Sequence, residues 1–299
     1  MSQEKWSGWT AAVISTVAMS TVPVVVSFAI HTGMNPTTLN ATRFALTGLL
    51  LAATYYLARS QRLKMDRRAR IYCITAGLIN SVGTLAYFWS LTRINASISS
   101  MLISIYPLFV LGILALRGEI FSQRQVIRLV VGLGGVYFLL DPKGNVDHGG
   151  VLLALISAAA FSITLVIIQW YLKGYPNTQV TYYTTTAMAG SLVGFWLIQG
   201  AEWKAPGWQS WLAIIFLAVI GTYLARLLAY RSIKDIGSAQ LSLLSPLETF
   251  LAVAWSLIFL QERLTMVQML GGVLIIASAL LAIERRPGRM SYDSGKVPL

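Results

Sequence analysis

The amino-acid sequence predicts an all-α integral membrane protein of about ten transmembrane helices, built as a 5+5 inverted-topology repeat. Three observations carry that expectation. Apolar runs of about twenty residues, the length that crosses roughly 30 Å of hydrocarbon, recur along the 299-residue chain. Charge is scarce, with 11% of residues charged and 56% hydrophobic, whereas a soluble domain carries about 25% charge. Features of the first half also return in the second at an offset of about 141 residues, the mark of an internal repeat.

The apolar runs place helices at 9–30, 37–58, 71–91, 97–116, 124–140, 149–171, 179–199, 209–231, 238–260 and 265–283. The start, Met1 to Trp6, leads into a full-length apolar run and reads as a first helix, not as a removed signal peptide. The net charge of +12 does not indicate nucleic acid, because the basic residues sit in short loops and tails where they orient helices. With the N-terminus in the cytoplasm, seventeen Lys and Arg fall on that side, including Arg59, Arg62, Lys64, Arg67, Arg68 and Arg70. Four fall opposite: Arg93, Lys143, Lys204 and Arg263. This asymmetry predicts both termini in the cytoplasm.

Pro36-Thr37 before the second helix corresponds to Pro176-Asn177 before the seventh, and SLTRINASISSML (90–102) to SIKDIGSAQLSLL (232–244). Glu119-x-x-Ser122-x-x-Gln125 corresponds to Glu262-x-x-Thr265-x-x-Gln268. The Ser/Thr-x-x-Gln parts are capping boxes at helix starts. The glutamates before them read as structural, near the positive ends of the helices they precede. An odd number of helices per half forces the halves to insert in opposite directions, a plan many carriers share, with the site between repeats. The expected units are 1–141, 142–284 and a cytoplasmic tail, 285–299.

Three ionisable residues lie inside helices: Arg43, Arg226 and Glu248. Charge in hydrocarbon costs on the order of 3 kcal/mol by insertion scales, so each needs a partner or a wet cavity. Glu248 adjoins a polar stripe of Ser238, Ser242, Ser245 and Thr249, beside Pro246, which removes a helix hydrogen bond. It can bind a substrate amine or exchange a proton; the structural alternative is a fixed pair with Arg226. Tyr106 stands at the repeat position of Glu248, on a helix with its own stripe of Ser97, Ser100, Ser104 and Pro107. Those serines either line a cavity or allow close helix packing. Arg43 and Arg226 can hold a carboxylate bidentately, or else form salt bridges or snorkel. Asn80, Thr84 and Tyr87 share a face of the third helix, next to Phe88 and Trp89. Tyr182 and Tyr183, with Thr184 to Thr186, are expected in the outer half of the seventh helix, lining a cavity. Gly132, Gly134, Gly135, Gly271 and Gly272 read as packing positions for the fifth and tenth helices.

These features in this order resemble the drug/metabolite transporter superfamily in its ten-helix EamA-type branch. The resembling residues are Arg43-Phe44, Tyr106-Pro107-Leu108-Phe109 leading to Gly118-Glu119, and Ser245-Pro246-Leu247-Glu248 leading to Gln261-Glu262-Arg263-Leu264. The resemblance spans about residues 9 to 283 and implies a 5+5 inverted-repeat fold in the bacterial inner membrane and, often, export of amino acids or similar metabolites. With the charge asymmetry and the odd-helix repeat, the expectation is a secondary carrier that works by alternating access, driven by protons or another gradient. Thr249 replaces the proline that often follows this glutamate in the family. The first helix lacks the acid of small multidrug relatives, against a multidrug or cation exporter.

The single cysteine, Cys73, excludes an intrachain disulfide, and the two histidines, His31 and His148, stand far apart. No metal cluster, cofactor motif or P-loop is present in the sequence. A membrane enzyme acting on a lipid-linked substrate needs acids, bases or metal ligands clustered at one face, and here they are scattered. An ion channel is disfavoured by the absence of a filter-like loop. The expected partners are a small-molecule substrate and the lipid bilayer.

Overall fold

The computed structural model describes residues 3–57, 65–115, 123–139, 146–172, 174–200, 207–236 and 244–281. Among them the helices group into ten passes. α1 is Gln3–Ser20 continued by Val22–His31. α2 is Pro36–Leu57 and α3 is Arg67–Ser90. α4 is Ala96–Ile103 continued by Tyr106–Ala115, and α5 is Gln123–Leu139. α6 is His148–Tyr171 and α7 is Asn177–Ile198. α8 runs through Trp208–Ala218, a π-helical Val219–Leu224 and Ala225–Ile236. α9 is Ser245–Phe259 and α10 is Met266–Leu281.

Proline sets the interruptions. Pro23 stands in the first turn after the break at Thr21, and Pro36 opens α2, where its missing N–H is not needed. The sequence predicts an unbroken fourth helix, but α4 breaks at Ser104–Ile105. Pro107 cannot donate to the carbonyl one turn back, and the chain crosses on tighter bonds, Ile105 N to Leu102 O at 3.2 Å and Leu108 N to Ile105 O at 2.8 Å. In the expected ninth helix, 238–243 lies outside the described residues. So do Glu119, Ser122, the 285–299 tail and the Ser245 side chain.

The packing obeys the repeat. α3 packs on α6 as α8 packs on α1; α3 on α7 as α8 on α2; α4 on α6 as α9 on α1. α2–α7, α4–α9 and α5–α10 are each their own counterpart. The protein is an all-α membrane bundle of two like halves in inverted topology. Its outward surface is apolar: Ile71, Ile74, Leu78 and Val82 form an exposed stripe on α3, and Val130, Leu133, Met269 and Val273 do so on α5 and α10. Such a surface belongs in lipid.

α3 and α6 are fastened to each other at both ends. Asp66 caps α3 through the Ala69 amide (3.2 Å) and accepts a short bond from the Tyr175 hydroxyl, just beyond α6. Asp147 caps α6 through the Gly149 and Gly150 amides (2.6 and 3.2 Å) and pairs with Arg93, just beyond α3, at 3.4 Å. The capping box Thr265–Gln268 forms as expected, with reciprocal bonds of 3.0 and 3.2 Å. Glu262 departs from expectation. Its carboxylate caps α4, taking the Ala96 and Ser97 amides at 2.7 and 3.0 Å and the Ser97 hydroxyl at 2.5 Å.

α5 and α10 approach closely because a Cβ on Gly135 would stand 2.9 Å from the Gly271 carbonyl, whereas Gly134 faces open space. Gly134 is therefore not the packing position the sequence suggests. Gly135→Leu is expected to lower thermal stability in detergent, by roughly the 1–3 kcal/mol of an overpacked contact, with Gly134→Leu near wild type. Equal melting temperatures for the two variants would disprove the assignment.

The clamps predict an acid response. The Tyr175 hydroxyl and then the Ala69 amide hold the Asp66 carboxyl below the usual carboxylate range. For Asp147 the Gly150 amide leads the same shift, joined by the Gly149 amide and the Arg93 guanidinium. A carboxyl lowered on folding contributes stability that is full above its unfolded value, about 3.9, and lost as pH falls through the folded one. The Asp66→Asn/Asp147→Asn variant should melt lower than wild type at pH 7, and the gap should narrow towards pH 3. A gap independent of pH would rule out the charges as its source.

Candidate functional site

α2 carries the most buried cation among the described residues. Arg43 is 5% exposed, with Asn40 and Thr47 on the same helix face and Phe44 beside it. Its Nε donates to the Thr222 hydroxyl at 2.6 Å and its Nη2 to the Gly221 carbonyl at 3.4 Å. The guanidinium lies 5.3 Å from the Phe44 ring centre and 5.5 Å from that of Phe88, within cation–π range.

These partners exist because α8 widens into the π-turn. A π-turn shifts hydrogen bonds from i−4 to i−5 and leaves carbonyls free for side chains, which is why such turns gather at functional sites. The Thr222 hydroxyl donates to Leu217 O at 2.8 Å while accepting from Arg43. Thr47 reaches Ala218 O at 3.3 Å, and Ser15 reaches Ala225 O at 2.8 Å.

Arg226 does not bridge to Glu248. It donates to the Thr185 hydroxyl at 3.1 Å and to Met188 Sδ at 3.7 Å, and lies 5.8 Å from the Phe44 ring centre. Phe44 thus touches both guanidiniums. Glu248 is half-buried in the first turn of α9, its backbone amide bonded to Leu244 O at 2.9 Å. Among the described residues the one ion pair is Arg93–Asp147 at the surface. Neither Arg43, Arg226 nor Glu248 has an oppositely charged partner there.

Tyr87 lies within electrostatic range of both Arg43 and Glu248. Its hydroxyl meets Ser100 Oγ at 3.5 Å. Hydrogen bonds and ring contacts join residues of α2, α3, α4, α7 and α8, and Glu248 on α9 is linked to them by its electrostatic interaction with Tyr87. The remaining expected residues behave differently. Ser100 and Ser104 are buried and donate to their own helix, at Ala96 O and Met101 O, both 2.7 Å. Tyr106 stacks edge-on against Phe161 at 5.1 Å. Asn80 and Trp89 are half-buried on α3. Tyr183 packs with Met65, Cys73 and Tyr175 at the end of the bundle where α3 begins, not in the outer half expected for it.

Residues the sequence reading passed over include Thr222 and Asn40. Asn40 is fully buried, and neither its amide oxygen nor its nitrogen has a hydrogen-bond partner. The available signal was its spacing: Asn40, Arg43 and Thr47 repeat at 3-4, the pattern of one helix face.

A ten-pass bundle of two inverted halves, whose buried Arg43 has no oppositely charged partner among the described residues, is built as a membrane transporter. The chain belongs to the EamA-like transporter family, whose model matches residues 6–141 and again 148–283. It is 24% identical over 275 residues to an uncharacterized transporter of Archaeoglobus fulgidus, covering 92% of this chain and 96% of that one. It is 21% identical to the transporter YcbK of Bacillus subtilis, covering 96% of each chain. A WAT1-related protein of Arabidopsis thaliana is also 21% identical, covering 91% of each. A solved crystal structure shares the fold, with a TM-score of 0.63 and 22% identity over 94% of this chain and 97% of that one. As a multi-pass transporter the protein handles a small-molecule substrate within the lipid bilayer and is not an enzyme.

The Thr222 hydroxyl serves a buried cation, and hydrogen bonds to charged groups are worth roughly 1.5–3 kcal/mol. Thr222→Val should lose stability of that order in thermal unfolding, and Thr222→Ser should recover most of it. A Thr222→Val protein as stable as wild type would show that Arg43 does not depend on this bond.

Proposed function

We propose that the protein exports a small zwitterionic metabolite, of amino-acid type, across the inner membrane by alternating access, with both termini cytoplasmic. One observation carries the substrate class. A guanidinium and a carboxylate, Arg43 and Glu248, belong to one bundle, and neither has an oppositely charged partner among the described residues. Buried charges are paired or bind ligands of opposite charge. A ligand with a carboxylate and an amine satisfies both at once, the carboxylate at the Arg43 fork and the amine at Glu248. Tyr87 lies within electrostatic range of both charges, and the Asn40 amide, one turn from Arg43, offers a neutral donor and acceptor.

The geometry supports the following roles. Arg43 is held by Thr222 and Gly221, so its orientation is set before substrate arrives. Arg226, which also meets the Phe44 ring, supplies a second positive field for the carboxylate. Glu248 binds one positive species at a time, the amine or a proton, and this exclusivity couples export to proton entry. The seventeen-to-four distribution of Lys and Arg supports the orientation. The two family matches, at 6–141 and 148–283, support one repeat in each half. Export rests on the family resemblance.

The test is efflux of the twenty labelled amino acids, one at a time, from proteoliposomes with and without an inward proton gradient. At least one should leave faster than from protein-free vesicles, and faster still with the gradient. Arg43→Gln should raise the apparent KM about 10–100-fold, the equivalent of one charged hydrogen-bonded contact. Glu248→Gln should abolish the response to the gradient with thermal stability unchanged. Transport of organic cations but of no amino acid would overturn this reading.

A further inference from the structure

We infer that Glu262 is a gating residue of the transport cycle, its carboxylate the latch that keeps the His31 end of the pathway shut. Glu262 lies in the loop between α9 and α10, in the second half of the chain, and grips α4, in the first. Asn95, at the cap position of α4, makes no side-chain capping bond. The first amides of α4 therefore rely on Glu262, whose three bonds to Ala96 and Ser97 span 2.5 to 3.0 Å. An acidic group at a helix start also meets the positive end of the helix dipole. The contact joins the two repeats across 166 residues of chain.

Two further observations turn this cap into a gate. A cavity of about 370 Å³ opens at the same end, lined among others by Ser27, His31, Arg93, Asn95 and Glu262. The glutamate that holds α4 is thus also part of the wall of an entrance. The latch is also wired to the candidate site. Ala96, whose amide binds Glu262, accepts through its carbonyl from Ser100 Oγ at 2.7 Å, and Ser100 Oγ meets the Tyr87 hydroxyl at 3.5 Å. Displacing Tyr87 moves Ser100, and moving Ser100 pulls on the turn that Glu262 grips.

The backbone beside the latch favours reversibility. Gln261 has φ 51, the one positive value among described non-glycine residues. Such a conformation is disfavoured for a residue with a Cβ and persists only where its surroundings impose it. Opening the gate breaks three charge-assisted bonds, and release of that strain offsets part of the cost. Alternating access needs this end to open, and α4 cannot leave the α9–α10 loop while the three bonds hold.

The inference rests on the protein being a transporter and not on which substrate it carries, so its test uses no substrate. Spin labels are placed at Thr92→Cys and Met266→Cys, both exposed, in a Cys73→Ala background in lipid nanodiscs. Their separation is measured by pulsed dipolar spectroscopy alongside the melting temperature. With Glu262 intact a short, closed distance should dominate. Glu262→Gln should add a discrete longer distance and raise the open-to-closed ratio about tenfold, the equivalent of about 1.4 kcal/mol. Ser97→Ala, which keeps both amide contacts, should shift the ratio the same way by less, and it carries the test if the Gln variant does not fold. Glu262→Asp should restore part of the closed population. A folded variant whose distances match the parent overturns the gate. So does a lower melting temperature with the closed distance alone, because the glutamate is then only a helix cap.

Discussion

The centre of this protein depends on one arrangement, a guanidinium buried in a membrane bundle and held by neutral groups. Among the described residues Arg43 meets no carboxylate, and its positive charge is spread over a hydroxyl, a carbonyl and two aromatic faces. Each of these is weaker than an ion pair, and none cancels the charge. A buried salt bridge would have fixed the site in one state, since removing either partner leaves an expensive uncompensated ion. A cation held by dipoles is positioned yet still attracts an anion. The π-turn of α8 is the structural cost of that solution, because a regular helix keeps its carbonyls for itself.

The fold was legible in the sequence because the signals that specify it are local or periodic. Apolar run length set the passes, the Pro36/Pro176 and Glu119/Glu262 correspondences exposed the repeat, and Thr265-x-x-Gln268 announced its own cap. The site was only partly legible. Arg43, Glu248 and Tyr87 stood out as polar groups at membrane depth. Depth along a helix does not give direction around it, however, and Arg226 turned towards Thr185 on α7 instead of towards Glu248. Tyr183 was misplaced for a related reason: the polarity of its helix was plain, but not the end of the bundle it faces.

The least legible features are those whose partners are distant in the chain. No residue type announces a π-turn, and Gly221-Thr222 reads as an ordinary helical pair until Arg43 arrives from 179 positions away. Glu262 looked like an acid serving its own helix, yet it serves one 166 positions earlier. In both cases the local sequence has a sufficient bland explanation, and tertiary structure substitutes another.

The pairing of α3 with α6 and of α8 with α1 has a consequence for biosynthesis. α3 carries Gly77 and Gly83, flat spots against which Thr184 and Ala187 of α7 and Ser157 and Ala160 of α6 close to within a methyl group's width. Those residues belong to the other half and leave the ribosome 74 to 110 residues later. During that interval α3 sits in the bilayer with its most intimate surface covered by lipid chains. Its N-cap acid, Asp66, meanwhile waits for a tyrosine that has not yet been made. Assembly is therefore not completed half by half: the first repeat is finished only by the arrival of the second.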